Sequence, residues 1–187
     1  MSSAISTYSL LINDASWSSP QARAAGLRAF GVAYLGSADT ITNEQFASRL
    51  AEKTVRILVP DLLRAIFPAE PRCLAAAARC EHEGAHEAAV EAVEAAAEAA
   101  TRIRVPAMLE AVWSMGRAEA AVEETARIRG TWDAAVVVLM TVRTATGAQR
   151  ALLMQKGALT DYYLRLSASL ALEVLRELNS PGAAYVA

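Results

Sequence analysis

The sequence predicts an all-α protein that folds as a single compact domain of about seven helices, either a helical bundle or a short α-solenoid. The 187 residues include 42 alanines, which strongly favour helix and add little volume to a core. The nine glycines and six prolines are too few for a turn-rich all-β sandwich. Apolar residues recur at helical spacing, and the β-branched cluster at 136–138 has no second run with which to pair as a strand.

The chain divides into a serine-rich N-terminal arm, residues 1–18, and an all-helical domain, residues 19–187. The Ser-Pro pair at 19–20 is a typical helix start, and Gly36 is expected to end that first helix. The sequence Thr-Asn-Glu-Gln at 42–45 forms a capping box, which predicts the start of a second helix.

Proline and glycine divide the middle of the chain. Pro60 lacks an amide hydrogen, so we expect a kink or a break there, with Asp61 in a new first turn. We expect one alanine- and glutamate-rich helix over 71–105, with Gly84 as its weak point. A further helix is expected from Pro106 to Gly130.

The C-terminal part of the sequence predicts a central helix, a short helix and a final helix. Thr131 is expected to cap a helix that carries the apolar run at 134–140 and lies at the centre of the fold, because this run is apolar all round. Gly147 and Gly157 are expected to bracket a short helix. The last helix is expected to start at residues 160–161, a Thr-Asp pair.

We expect the aromatic side chains to lie in the hydrophobic core rather than to line a binding pocket. Tryptophan in a small helical domain is usually buried, so we expect Trp17, Trp113 and Trp132 in the core. The Tyr162-Tyr163 pair stands at a helix start, which favours one ring inside the fold and one ring outside.

Two segments of the sequence resemble each other. Glu-Ala-Ala-Val-Glu at 87–91 recurs at 119–123, and Arg-Ile-Arg follows at 102–104 and again at 127–129. A duplicated helix would explain this similarity and would favour an α-solenoid. Alanine- and glutamate-rich helices also resemble one another through composition alone, so both explanations are retained.

Charge and hydropathy exclude several classes of partner. The 18 basic and 20 acidic residues leave no basic patch of the kind that binds nucleic acid. The mean hydropathy of +0.23 is high, yet the longest apolar run, 134–140, is too short to span a membrane. The apolar excess is therefore expected in a core or a protein interface. No basic segment precedes the first apolar stretch, and Cys73 and Cys80 are expected to be free thiols, which together predict a cytoplasmic protein.

The two histidines stand in the segment His82-Glu83-Gly84-Ala85-His86. This segment resembles the short signature of the zinc metallopeptidases, in which two histidines four apart on one helix bind zinc and the glutamate between them is the general base. The resemblance implies His82 and His86 as metal ligands, Glu83 as the catalytic base and zinc as the cofactor. Glu83-x-x-His86 also matches half of a di-iron site, but the other half would have to come from another subunit, because the chain has no third histidine.

A second interpretation of the same segment needs no metal. Glu81 and Glu87 flank the motif where the metallopeptidases have uncharged residues, and a third ligand at their spacing is not evident. His82 and His86 also continue an apolar helical stripe beside a stripe of glutamates, which is typical of a solvated helix face. We favour this interpretation, in which the chain needs no cofactor; a structural metal held by the two histidines is the intermediate alternative.

The sequence therefore predicts a non-catalytic helical module for protein interaction or oligomerisation, whose partner is another protein or a second copy of the chain. The stretch from Val59-Pro60 to Arg72, followed by alanine-rich helices, is similar over a short low-complexity region to the helical immunity proteins that neutralise bacterial polymorphic toxins. That resemblance implies a toxin as the partner, without assigning the chain to the family. The alternative function is a small metal-dependent hydrolase that uses the His82-Glu83-x-x-His86 helix.

Overall fold

The computed structural model describes residues 19–21, 43–157 and 161–178 of the chain. Over these residues the protein is helical and contains no β-strand, which confirms the all-α prediction. The predicted arm, residues 1–18, and most of the predicted first helix lie outside the described residues. The described elements are α1 (Asn43–Lys53), a π-helical segment (Thr54–Leu58), α2 (Val59–Ile66), α3 (Pro71–Glu83), α4 (His86–Ile103), α5 (Pro106–Thr125), α6 (Thr131–Lys156) and α7 (Tyr162–Leu178).

The helices bury two adjoining hydrophobic clusters. The first lies mainly between α2, α3, α4 and α5, and the second lies mainly between α1, α6 and α7. Alanine supplies much of the first cluster, since every buried residue of α4 is an alanine. Because the separation of packed helices depends on the side chains at their contact, these methyl groups let α4 lie close against α3 and α5.

α1, the π-helical segment and α2 form one continuous rod. Pro60 has no amide hydrogen to donate to the preceding turn, so a regular α-helix cannot run through it undisturbed. The Val59 N–H instead bonds to the Thr54 carbonyl, five residues back, which widens the turn. α2 begins here with Asp61 in its first turn, as expected, and the rod is not broken, because Leu58 and Val59 keep right-handed helical dihedral angles.

The single helix expected over 71–105 is two helices, which corrects the sequence prediction. α3 ends at Glu83, because Gly84 adopts a left-handed conformation with φ of 61°. The Gly84 N–H bonds to the Cys80 carbonyl at 2.9 Å and so closes the end of the helix. The chain then enters α4 at His86.

The short helix expected between Gly147 and Gly157 is also wrong, because α6 runs unbroken from Thr131 to Lys156. Gly147 lies inside α6 and faces α5, where an added side chain would overlap Ser114 Oγ. Its missing side chain therefore serves close helix packing rather than helix termination. Gly157 does end α6, in a left-handed conformation with φ of 63°.

α6 packs against α1, α2, α5 and α7, as expected for a central helix. At the start of α7, Tyr163 is fully buried and Tyr162 is 47% exposed, which confirms the prediction for this pair. None of the described helices is long and apolar enough to cross a lipid bilayer.

The two similar sequence segments fall in the neighbouring helices α4 and α5. Their Arg-Ile-Arg triplets differ in backbone structure. Arg102 and Ile103 end α4, whereas Arg127 and Ile128 follow the end of α5 at Thr125, which is earlier than the Gly130 expected from the sequence. The similarity therefore does not extend to the backbone at the helix ends.

Candidate functional site

The segment predicted to bind a metal lies across a helix junction. His82 and Glu83 end α3, Gly84 is in the left-handed conformation, and His86 is the first residue of α4. The two histidines therefore do not share one face of one helix, which was the geometric basis of the zinc prediction. The assumption of a single His82-Glu83-x-x-His86 helix is wrong.

The Arg56 guanidinium caps the end of α3. It donates to the backbone carbonyls of Glu81 at 3.0 Å, His82 at 2.5 Å and Glu83 at 2.9 Å. A positive charge is favourable at a helix C-terminus, where these carbonyls have no partner within the helix. Gly84 lies against the same side chain, since a Cβ built on it would be 2.6 Å from Arg56 Nε. The first half of the His82–His86 segment is thus a helix end that Arg56 caps.

Glu83 and His86 have separate contacts. Glu83 Oε1 accepts a hydrogen bond from Arg79 Nε at 3.0 Å, and His86 Nδ1 lies 3.9 Å from Glu119 Oε1 on α5. Within the described ranges, no group of three or more His, Cys, Asp or Glu side chains is placed to hold a metal ion. These residues therefore do not form the three-ligand site and free base that a zinc hydrolase needs. Metal binding by His82 or His86 stays a prediction of the sequence.

The two thiols are buried and form no disulfide. Burial raises the pKa of the Cys73 thiol to about 11 and that of the Cys80 thiol to about 12. Cys80 Sγ also donates to the Ala88 carbonyl at 3.3 Å, which ties α3 to α4. Because the thiolate is the nucleophile, neither cysteine is suited to covalent catalysis at neutral pH.

Large apolar side chains are exposed on α5. Leu109 and Trp113 lie one turn apart and are 53% and 56% exposed. The expectation that Trp113 lies in the core is therefore wrong; the side chains of Trp17 and Trp132 lie outside the described part of the structure. Adjacent exposed apolar groups of this size mark candidate interaction sites, and tryptophan is enriched in protein interfaces.

A groove of about 390 Å³ lies between the C-terminal end of α4 and the N-terminal half of α5. Its volume falls in the lower part of the range for ligand pockets. Leu109 belongs both to the groove wall and to the exposed ridge of α5, so the two are continuous. The groove is lined by Ala97, Ala100, Thr101, Arg104, Val105, Pro106, Leu109 and Val112.

Arg104 holds an unusual backbone conformation at the edge of this groove. Its φ of 52° places it in the left-handed region, which glycine occupies at the ends of α3 and α6. A side chain costs free energy in that conformation, and such residues cluster at functional sites. The chain thus keeps an arginine beside the groove at a position where glycine would be less strained.

The opposite flank of α5 meets cations and a methionine of α6. Gly147 faces Arg117 of α5. At 3.6 residues per turn, Arg143, Arg150 and Met154 lie within about 60° of Gly147 around α6. Met154 is 55% exposed. The groove, the apolar ridge and these side chains form a surface that we call the Trp113 face, with Leu109, Trp113 and Met154 as its apolar members and Arg117, Arg143 and Arg150 as its cations.

Sequence reasoning missed the Trp113 face, although α5 carries a signal for it. Leu109, Trp113 and Arg117 follow one another at intervals of four, so they share a helix face. The buried residues Ala111 and Ala118 lie on the other side of the same helix. The spacing therefore groups these large residues on one face of α5, opposite a buried face that contains four alanines together with Met108, Ser114 and Met115.

Comparison of the chain with models of protein families, with curated proteins and with solved structures finds no match in any of the three.

Proposed function

We propose that this protein is a non-catalytic helical interaction module that binds a protein partner, or a second copy of itself, through the Trp113 face. The observation that carries the proposal is the exposure of Leu109 and Trp113 beside a groove on the same helix. Trp and Arg are among the residues most enriched in energetic hot spots of protein interfaces, and both occur on this face.

The alanine-rich helices support the same proposal. α4 buries only alanines against its neighbours, so the fold needs few large side chains to fill its core there. Several large apolar residues lie outside instead: Ile103 is 43% exposed, and Leu109, Trp113 and Met154 are each more than half exposed. Covering them on binding would bury apolar surface, at about 25 cal/mol for each Å² removed from water.

The experiment compares the wild type with Leu109→Ala, Trp113→Ala and a matched control, Leu74→Ala. Leu74 is also exposed, at 37%, but it lies on α3. Light scattering and sedimentation first give the oligomeric state. Affinity is then measured for the self-complex, or for a purified candidate partner such as the product of a neighbouring gene. Truncating a hot-spot residue is expected to weaken binding by about 2 kcal/mol or more, which is roughly 30-fold.

Two results would decide the matter. Weaker association in Leu109→Ala and Trp113→Ala, with Leu74→Ala unchanged, supports the proposal. A monomeric protein whose partner binds all three variants as tightly as the wild type contradicts it. Circular dichroism of each variant shows whether the helical content is preserved.

A toxin-neutralising role is one form of the same proposal, with a toxin as the protein partner. It is supported by the short similarity of the stretch from Val59 to Arg72 to the immunity proteins, which bears on the kind of partner. A cytoplasmic location belongs to the proposal as well, since two buried free thiols fit a reducing compartment.

The alternative function, a zinc-dependent hydrolase, supplies a second test. Metal is quantified in wild type and in His86→Ala, both prepared without chelator. Stoichiometric zinc that is lost in His86→Ala, together with hydrolysis that is lost in Glu83→Gln, would overturn the non-catalytic part of our proposal.

A further inference from the structure

The arginines of the Trp113 face differ from most other arginines of the protein, because none of them forms an ion pair with a described residue. Arg49, Arg56, Arg64, Arg72 and Arg79 each bind at least one glutamate. Arg117, Arg143 and Arg150 have no carboxylate within 4.0 Å among the described residues. Their positive charge is therefore left available on this surface.

The three arginines lie near one another where α5 packs against α6. A Cβ built on Gly147 would lie 2.8 Å from Arg117 Nη1, so the missing side chain of this glycine makes room for the guanidinium. Arg143 and Arg150 stand four residues before and three residues after Gly147, on the same side of α6. Gly147 is thus the floor of a shallow cationic site.

Burial and the neighbouring arginines act on the Arg117 guanidinium in the same direction. Burial lowers the pKa of the Arg117 guanidinium; Glu110 opposes that effect, and Arg143 and Arg150 add to it. Arg117 is half-buried, so its charge has lost part of its hydration. An incoming anion would replace that hydration and relieve the repulsion between the arginines.

The apolar ridge beside the arginines indicates what kind of molecule carries the anion. Trp113 precedes Arg117 by one helical turn, and Met154 follows Arg150 by one turn. A small inorganic anion would leave these apolar side chains in water. A polypeptide that places carboxylates on the arginines and an apolar side chain on Trp113 would satisfy both halves of the surface.

We propose that Arg117, Arg143 and Arg150 form a carboxylate-binding site that recognises an acidic segment of a protein partner. This inference rests on the proposed function and narrows it to partners with acidic residues next to an apolar anchor. Guanidinium groups bind carboxylates through paired hydrogen bonds, which gives the contact direction as well as strength.

The test uses the full-length protein and three probes. The first is a synthetic peptide with a leucine pair flanked by glutamates, the second is the same peptide with every glutamate changed to glutamine, and the third is inorganic phosphate. Binding is followed by NMR through the arginine side-chain N–H signals. The variants are Arg117→Gln, the conservative Arg117→Lys, and Arg72→Gln, which removes one positive charge from α3 as a matched control.

We expect saturable shifts of the Arg117, Arg143 and Arg150 signals with the glutamate peptide, and weaker binding at high salt. Arg117→Gln should lower the affinity for the glutamate peptide by about tenfold or more, because hydrogen bonds to charged groups are worth about 1.5–3 kcal/mol. Arg117→Lys should recover part of that loss, and Arg72→Gln should change affinity less than about twofold.

Four results would overturn the inference, the last of which leaves the proposed docking function standing. The first is an equal loss of peptide affinity in Arg117→Gln and Arg72→Gln, which would indicate non-specific attraction between charges. The second is saturation of the signals by phosphate without saturation by the peptide. The third is the lack of a saturable shift with any of the probes. If the glutamine peptide binds as tightly as the glutamate peptide, and this binding is lost in Trp113→Ala, the arginine inference fails while the proposed docking function stands.

Discussion

Two regions of the protein, α1 to α3 and α5 to α6, treat their positive charges in opposite ways. From α1 to α3 there are six cations, and each one binds at least one carboxylate. In α5 and α6 there are four cations, and none forms an ion pair with a described residue. The four are Arg117, Arg143, Arg150 and Lys156.

The difference teaches how charge is used in this fold. Between α1 and α3, the cations join separate elements: Arg64 of α2 binds Glu81 of α3, and Lys53 of α1 binds Glu173 of α7. Arg56 is the clearest case, because it binds Glu52 Oε1 at 2.8 Å and three carbonyls at the end of α3. On α5 and α6 the charges form no ion pair within the described part of the chain. A charge with no internal partner is the stronger candidate for an external one.

The largest expected effect of a single change is at Gly84, on the ion-paired side. A Cβ there would lie 2.6 Å from Arg56 Nε, and the backbone is left-handed. Gly84→Ala should therefore lower the free energy of unfolding by about 2–4 kcal/mol, from backbone strain and from displacement of the Arg56 cap. Chemical denaturation of the variant measures this loss.

Two other glycines separate these contributions. Gly157 has φ of 63° but no atom within 4 Å of an added Cβ, so Gly157→Ala should cost only the backbone strain, about 1–2 kcal/mol. Gly116 lies inside α5 with open space around it, so Gly116→Ala should stabilise the protein by about 0.5–1 kcal/mol. Equal losses at Gly84 and Gly157 would show that the Arg56 contact contributes nothing.

These glycines also show how far the sequence alone predicts the structure. Helix starts at Pro71 and Pro106 and the helix end at Gly157 follow from local backbone chemistry, and all three were predicted. Gly84 and Gly147 look alike in the sequence, yet one ends a helix and the other lies inside one. The difference depends on which helix each glycine faces, which is tertiary information.

The candidate site was harder to predict, for a similar reason. The histidine segment matched a motif of residue types, but the motif requires one helix, and the left-handed Gly84 divides it in two. Trp113 was expected in the core because tryptophan usually is buried. Its exposure depends on which side of α5 the neighbouring helices cover; the spacing within α5 places Leu109, Trp113 and Arg117 on one face but does not state whether that face is buried.

A further prediction tests the ion-paired side by pH. The hydrogen bond from Lys53, followed by that from Arg49, holds the pKa of the Glu177 carboxyl below its ordinary value of 4.5. A carboxyl with a lower pKa in the folded state stabilises the protein above pH 4.5, and this contribution is lost as the pH falls below that value. Because Glu177 is partly exposed and screened by solvent, its contribution should be under about 1 kcal/mol.

Glu177→Gln should therefore reduce the loss of stability between neutral and acidic pH, as measured by denaturation at a series of pH values. Glu124→Gln is the control, because the Glu124 carboxylate takes part in none of the described ion pairs. If both variants keep the acid dependence of the wild type, the contact between Lys53 and Glu177 does not stabilise the fold.

The smallest expected effect is on the Trp113 face, and its small size is the point of the measurement. Arg143→Gln and Arg150→Gln each remove an exposed cation that forms no ion pair with a described residue. Their free energies of unfolding should stay within about 0.5 kcal/mol of the wild type, and relief of the repulsion on Arg117 favours a slight gain. Arg56→Gln, measured alongside, should cost about 1 kcal/mol or more, because the carbonyls of Glu81, His82 and Glu83 at the end of α3 lose a charged donor. A large loss in Arg143→Gln or Arg150→Gln would mean that these arginines hold the fold together, and the contrast between the two regions would disappear.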